Sequence, residues 1–134
     1  MELQSIFRAN LDLSLSSNSG TLVSPRWKES NQIEFQVKHR YVENVVTISP
    51  SGSLTINIST LGLSQTNFIY LSTLEPNRSL KIRFNGDING FDLVPPDATK
   101  RVFFCSITNF NNLVVENLSS TDPVTIVYVL LEKA

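Results

Sequence analysis

The sequence predicts an all-β protein, an antiparallel β-sandwich or jelly roll of about eight to ten short strands with little helix. Three observations carry this. The chain contains 12 Val, 10 Ile and 10 Thr against only 3 Ala, a balance that favours strands, because branched side chains pack on a pleated surface and lose rotamer freedom in a helix. Segment after segment alternates apolar and polar residues with period two, the signature of a strand buried on one face. Turn-forming residues separate those segments at short intervals, and 17 Ser and 13 Asn among 134 residues supply side chains that compete with helical backbone bonds.

The elements follow in order. Leu11, Leu13 and Leu15 alternate in LDLSLS, before a Ser/Asn/Gly stretch, so residues 1–20 read as an N-terminal edge strand or as an arm reaching a neighbouring subunit, with 21–134 as the sandwich body. Ile33, Phe35 and Val37 alternate in QIEFQVK, and residues 44–49 give another strand. Pro50-Ser51-Gly52 turns the chain into SLTINIS, with Leu54, Ile56 and Ile58 on one side and Ser53, Thr55, Asn57 and Ser59 on the other. Strands are expected at 66–72 and, from Leu80, Ile82 and Phe84, in SLKIRFN, with Asn85-Gly86 and Asn89-Gly90 as turns. Residues 101–108 and 112–117 follow. Ser119 to Pro123 then leads into PVTIVYVLL, where Val124, Ile126, Tyr128 and Leu130 fill one face and Val127, Val129 and Leu131 the other. A strand apolar on both faces belongs in the middle of a sheet or has its second face covered by another subunit.

Composition narrows the function classes. A chain of 134 residues makes one domain with a core of its own. With 11 basic and 12 acidic residues the net charge is -1, which removes the concentrated basic surface that nucleic acid or an anionic membrane would need. One cysteine, Cys105, excludes an intramolecular disulfide. No run approaches the roughly 18 apolar residues of a membrane span, and MELQSIFRAN lacks a signal-peptide layout, so an intracellularly made soluble protein is expected.

Candidate chemistry is sparse. His39, in Lys38-His39-Arg40, has no nucleophile motif beside it and reads as part of a solvated turn. Cys105, in VFFCSI, has apolar neighbours rather than the electropositive setting of a reactive thiolate. Asn85 to Asp92 spaces oxygen-bearing side chains in the manner of a calcium loop, but it lacks the distal bidentate glutamate and reads first as turns. Glu34 and Glu43 sit at polar positions of what read as neighbouring strands, where solvated or salt-bridged surface outweighs paired-carboxylate catalysis. Lys81 and Arg83 share a strand face, with Arg78 near; the acids Glu75, Asp87 and Asp92 dilute the field and point to surface salt bridges. Asn-x-Ser triplets at Asn57, Asn77 and Asn117 would matter only in the secretory route.

From Leu54, Ile56 and Ile58 through FIYLSTLEPNRSLKIRFNG, Leu93-Val94-Pro95-Pro96, VFFCSITNF and DPVTIVYVLL, the chain resembles the small β-sandwich or jelly-roll virion structural proteins of tailed bacteriophages, which include capsid decoration (cement) proteins and tail components. The resemblance implies a non-enzymatic protein of the virion, made in the host cytoplasm, that binds and stabilises the capsid lattice by protein–protein contacts. Its partners would be further copies of itself, as a trimer, and the major capsid protein or other virion proteins. No catalytic residue, cofactor or metal is implied, nor nucleic acid or membrane. The alternatives are a tail or baseplate component and a carbohydrate-binding module using Trp27, Tyr41 or Tyr70 as stacking platforms. The interface candidates are Trp27, Phe91, Phe110, Val127 and Val129, large apolar residues beside turns or on the second face of the last strand.

Overall fold

The computed structural model describes residues 5–15 and 27–133. The regular elements among the described residues are almost all strands: β1 (Ser5–Leu15), β2 (Trp27–Ile48), β3 (Ser53–Asn57), β4 (Phe68–Thr73), β5 (Leu80–Phe84), β6 (Phe91–Leu93), β7 (Phe103–Ser106), β8 (Asn112–Asn117) and β9 (Val124–Lys133). One short 3-10 turn, Ser59–Leu61, is closed by Gly62 in the left-handed region, where a side chain would be strained.

Pairing is nested. Strand β2 pairs with β9, β3 with β8, β4 with β7 and β5 with β6, every pair antiparallel. Such nesting is one long two-stranded ribbon, and rolling it up brings β4 beside β9 and β5 beside β8. The result is two sheets, β1-β2-β9-β4-β7 and β3-β8-β5-β6, which is the jelly-roll arrangement with β1 added at one edge. The expected fold class therefore holds, and β9, apolar on both faces, is the middle strand of the large sheet.

The core lies between the sheets and is built from the inward set of each strand. Ile69 and Leu71 of β4, Leu80 and Ile82 of β5, Leu113 and Val115 of β8, and Val124, Ile126 and Leu130 of β9 are fully buried. Tyr128 joins this layer because its hydroxyl accepts a hydrogen bond from Asn44 Nδ2 at 3.2 Å, which satisfies the polar end of an otherwise apolar side chain. At one end Asn117 is buried and donates to the carbonyls of Ile48, Ser49 and Asp122 while accepting the N–H of Ser119, tying the β2–β3 and β8–β9 connections together.

Three local expectations change. Residues 38–40 are not a turn between strands: β2 runs through them, and its register against β9 shifts between Val37 and Tyr41. A bulge absorbs the extra residues there without ending the strand. Glu34 and Glu43 therefore lie on one strand rather than on neighbours. Between Gly90 and Pro95, β6 is a strand of only three residues, too short to show alternation. The turn reading of Asn85-Gly86 holds: both have positive φ (52° and 72°), and the Asp87 N–H closes onto the Phe84 carbonyl at 3.0 Å, the geometry Asn-Gly favours.

Strand β1 pairs along its whole length with residues 27–37 of β2, whereas β9 takes the part from Val37 onward. The two partners overlap only at Val37, so residues 27–36 have β1 as their ladder partner, a two-stranded ribbon of about 34 Å at strand rise.

Candidate functional site

The outer faces of the two sheets are built from opposite chemistry. On the small sheet the outward set is Ser53, Thr55 and Asn57 of β3, Asn112, Val114 and Glu116 of β8, Lys81 and Arg83 of β5, and Asp92 of β6. Lys81 meets Asp92 at 3.2 Å across the β5–β6 rung, and Arg83 meets Glu116 on the diagonal. These are partly exposed pairs of small energetic worth, and they mark a face made for water.

On the large sheet the outward set is different. The β2–β9 register places Tyr41 opposite Leu131, Glu43 opposite Val129, Val45 opposite Val127 and Thr47 opposite Thr125. Next along the sheet, Leu131 faces Phe68, Val129 faces Tyr70 and Val127 faces Ser72; then Tyr70 faces Cys105 and Ser72 faces Phe103. Because cross-strand neighbours share a face, these residues form one layer. Phe68 and Leu131 are buried at one end of it, with Tyr70 and Val129 packed on them. Ser72, Thr125 and Val127 are half-buried, and the open positions are at the flanks, where Tyr41 is 59% exposed, Val45 57% and Phe103 59%. Ile107, just beyond β7, is also exposed. Glu43 is the single charged residue of the described rungs of this layer from Tyr41 to Thr47. Side chains branched at Cβ (Val45, Val127, Val129, Thr47, Thr125) hold their rotamers, so the surface is a stiff, shallow relief. Burial pushes the Cys105 thiol above its ordinary value, so it stays protonated at neutral pH.

The five interface candidates separate. Val127 and Val129 lie on this layer and are half-buried. Phe91 opens β6 at the edge of the small sheet rather than on this layer, 40% exposed, its ring 6.3 Å from Phe84 and 5.5 Å from Phe104, bridging the edge strands of the two sheets. Phe110 is corrected: it is only 3% exposed, edge-on to Phe84 at 5.4 Å, and belongs to the core. Its neighbouring turn residues do not carry it to the surface, since the ring folds back under them. Trp27 begins β2 opposite Leu15, and its side chain lies outside the described residues. Tyr41 and Tyr70, which the sequence offers only as sugar-stacking platforms, stand on this layer together with Val45 and Phe103, which the sequence does not single out. Their signal is cross-strand register, which a single sequence does not print.

The remaining sequence candidates fall elsewhere. In the segment 85–92 the oxygens turn three ways: Asn85 accepts the Asn111 N–H, Asp87 accepts the Asn89 N–H, and Asp92 faces Lys81. Arg78 donates to the Pro123 carbonyl at 2.8 Å. Glu34 pairs with Arg8 at 2.9 Å on exposed surface, and Glu43 stands on the outer face of the large sheet. Among the described residues no three His, Cys, Asp or Glu side chains are placed to share a metal ion.

No protein-family model matches this chain, and no curated protein matches it. Among solved structures, the cupin domain of Schizosaccharomyces pombe Cnp3 is similar at 11% identity and a TM-score of 0.44, over 94% of this chain and 84% of that one.

Proposed function

We propose that this protein is a non-enzymatic structural component of a phage virion, which associates with further copies of itself and docks on the capsid lattice by burying surface. The observation that supports the reading is the contrast between the two outer faces: a solvated, ion-paired small sheet and a large sheet whose outer layer is apolar and nearly uncharged. A lattice protein needs that division, with one side turned to solvent and the other to a neighbour, because weak contacts repeated over many copies add up to firm attachment. The test is stoichiometry in the purified source particle. Copies in proportion to the capsid lattice are expected, a handful per particle would make it a tail or baseplate component, and its absence from the particle would overturn the reading.

A further inference from the structure

We infer that two copies of this chain join edge to edge, the β1 strand of one pairing antiparallel with the β1 strand of the other across a two-fold axis at Asn10, so that Arg8 of each copy stands opposite Asp12 of the second. The inference deepens the reading above by naming the contact through which copies associate, and it rests on the self-association in that reading.

The two sheets have four edges among the described residues, and three of them are short: β7 has four residues, β3 five and β6 three. Short edge strands are one way a protein avoids unwanted pairing. Strand β1 is the exception. It runs for 11 residues without proline and in unbroken register with β2, and its outer edge has no ladder partner among the described residues. The ribbon it forms with residues 27–36 of β2 lies beyond the reach of β9. A ribbon of two strands is marginal in water, whereas three or more strands hold. A second β1 turns each ribbon into half of a four-stranded sheet, β2-β1-β1-β2, with about ten to twelve backbone hydrogen bonds across the new seam. That is as many as a whole specific interface commonly contains.

The occupant is read from the strand itself, SIFRANLDLSL, which complements its own reverse about Asn10. In that register Phe7 stands opposite Leu13, Ala9 opposite Leu11 and Arg8 opposite Asp12, each twice, with all 11 positions paired. A slip of one residue sets Phe7, Ala9 and Leu11 against polar positions. A slip of two keeps the faces but parts Arg8 from Asp12. Arg8 is exposed and holds Glu34 of its own copy at 2.9 Å, and its guanidinium has donors left for a second carboxylate. Opposite charges on facing positions stabilise a strand pair and like charges oppose it, so the same two residues that discourage a foreign edge admit this one. A contact of this kind is isologous and closes at two copies, so the trimer that the family resemblance implies cannot be closed by it.

Cross-linking on the full chain tests the register, in a Cys105→Ser background that removes the single cysteine. Asn10→Cys sets a thiol opposite itself, within the Cα separation that a disulfide bridges, and mild oxidation is expected to link two chains. Ile6→Cys alone stands about 27 Å from its counterpart and should stay unlinked, whereas a mixture of Ile6→Cys and Ser14→Cys chains should link. Ile6 and Asn10 are exposed, so thermal melts should show the fold retained. Light scattering is expected to give the mass of two chains. Asp12→Arg, which sets two cations face to face at both ends of the seam, should weaken the dimer about tenfold, and combining it with Arg8→Asp should restore most of the loss. A monomer at every concentration, a three-chain mass, or linking through Asn31→Cys on the open stretch of β2 in place of Asn10→Cys would each overturn the inference. A monomer that still binds the source particle would overturn the inference alone; a cross-linked dimer absent from the particle would remove the virion reading and leave this contact standing.

Discussion

The hydroxyl of Thr66 is fully buried and has no hydrogen-bond partner among the described residues. Desolvating such a group without compensation costs about 1–3 kcal/mol, so Thr66→Val, which keeps the shape and removes the oxygen, should stabilise the fold by about 1 kcal/mol. A higher denaturant midpoint with an unchanged slope would verify it. Phe110 tests the opposite sign. Edge-on to Phe84 inside the core, it should cost about 3 kcal/mol or more when cut to Ala, through lost burial and a cavity; unfolding should show this without any change in the mass of the assembled species. Phe110 and Phe91 also mark where single-residue reading ends. Both stand beside Asn or Gly, and the sequence offers no means of telling the ring folded under its turn from the ring left 40% exposed at a sheet edge. That choice is made by Phe84, which contacts both rings from a third segment.

Elements were legible where alternation runs for five residues or more. β3, β5, β8 and β9 lie where the inward Leu, Ile and Val sets place them. β6, with three residues, is too short to carry a period, and the continuity of β2 is masked by the cationic run 38–40 at its bulge. One connection outside the strands has a pH signature. The strap after β4 is fastened to β9 by the Leu74 N–H on the Thr125 carbonyl and by Glu75, whose carboxylate accepts the Thr125 N–H at 2.8 Å. Burial alone would push the Glu75 carboxyl up, but the Thr125 N–H and hydroxyl, its own N–H and Arg78 together hold it below the ordinary value. A lowered folded-state value means stability that is present above the ordinary carboxylate range and lost as pH falls through the folded value. Glu75→Gln should therefore make the protein less stable at neutral pH and flatten the acid side of its stability profile, as read from unfolding midpoints between pH 7 and pH 3.

At the scale of the whole molecule, the rolled ribbon decides which apolar residues meet water. Period two says that Val127 and Val129 share a side of β9; only the pairing of β9 with both β2 and β4 assembles them with Tyr41, Val45 and Tyr70 into a layer. The fold class was therefore readable from composition and rhythm, whereas the face was not, because it is made of non-local neighbours. The central claim is that this layer, and not the ion-paired sheet behind it, is where the protein docks on the lattice. Hydroxyl-radical footprinting of the free protein and of the protein on its source particle tests it most directly: Tyr41, Tyr70 and Phe103 should lose reactivity on the particle, while Ile88 and Val94 in the exposed loops keep theirs. Protection of Ile88 and Val94 with the layer left equally reactive in both states would contradict the account.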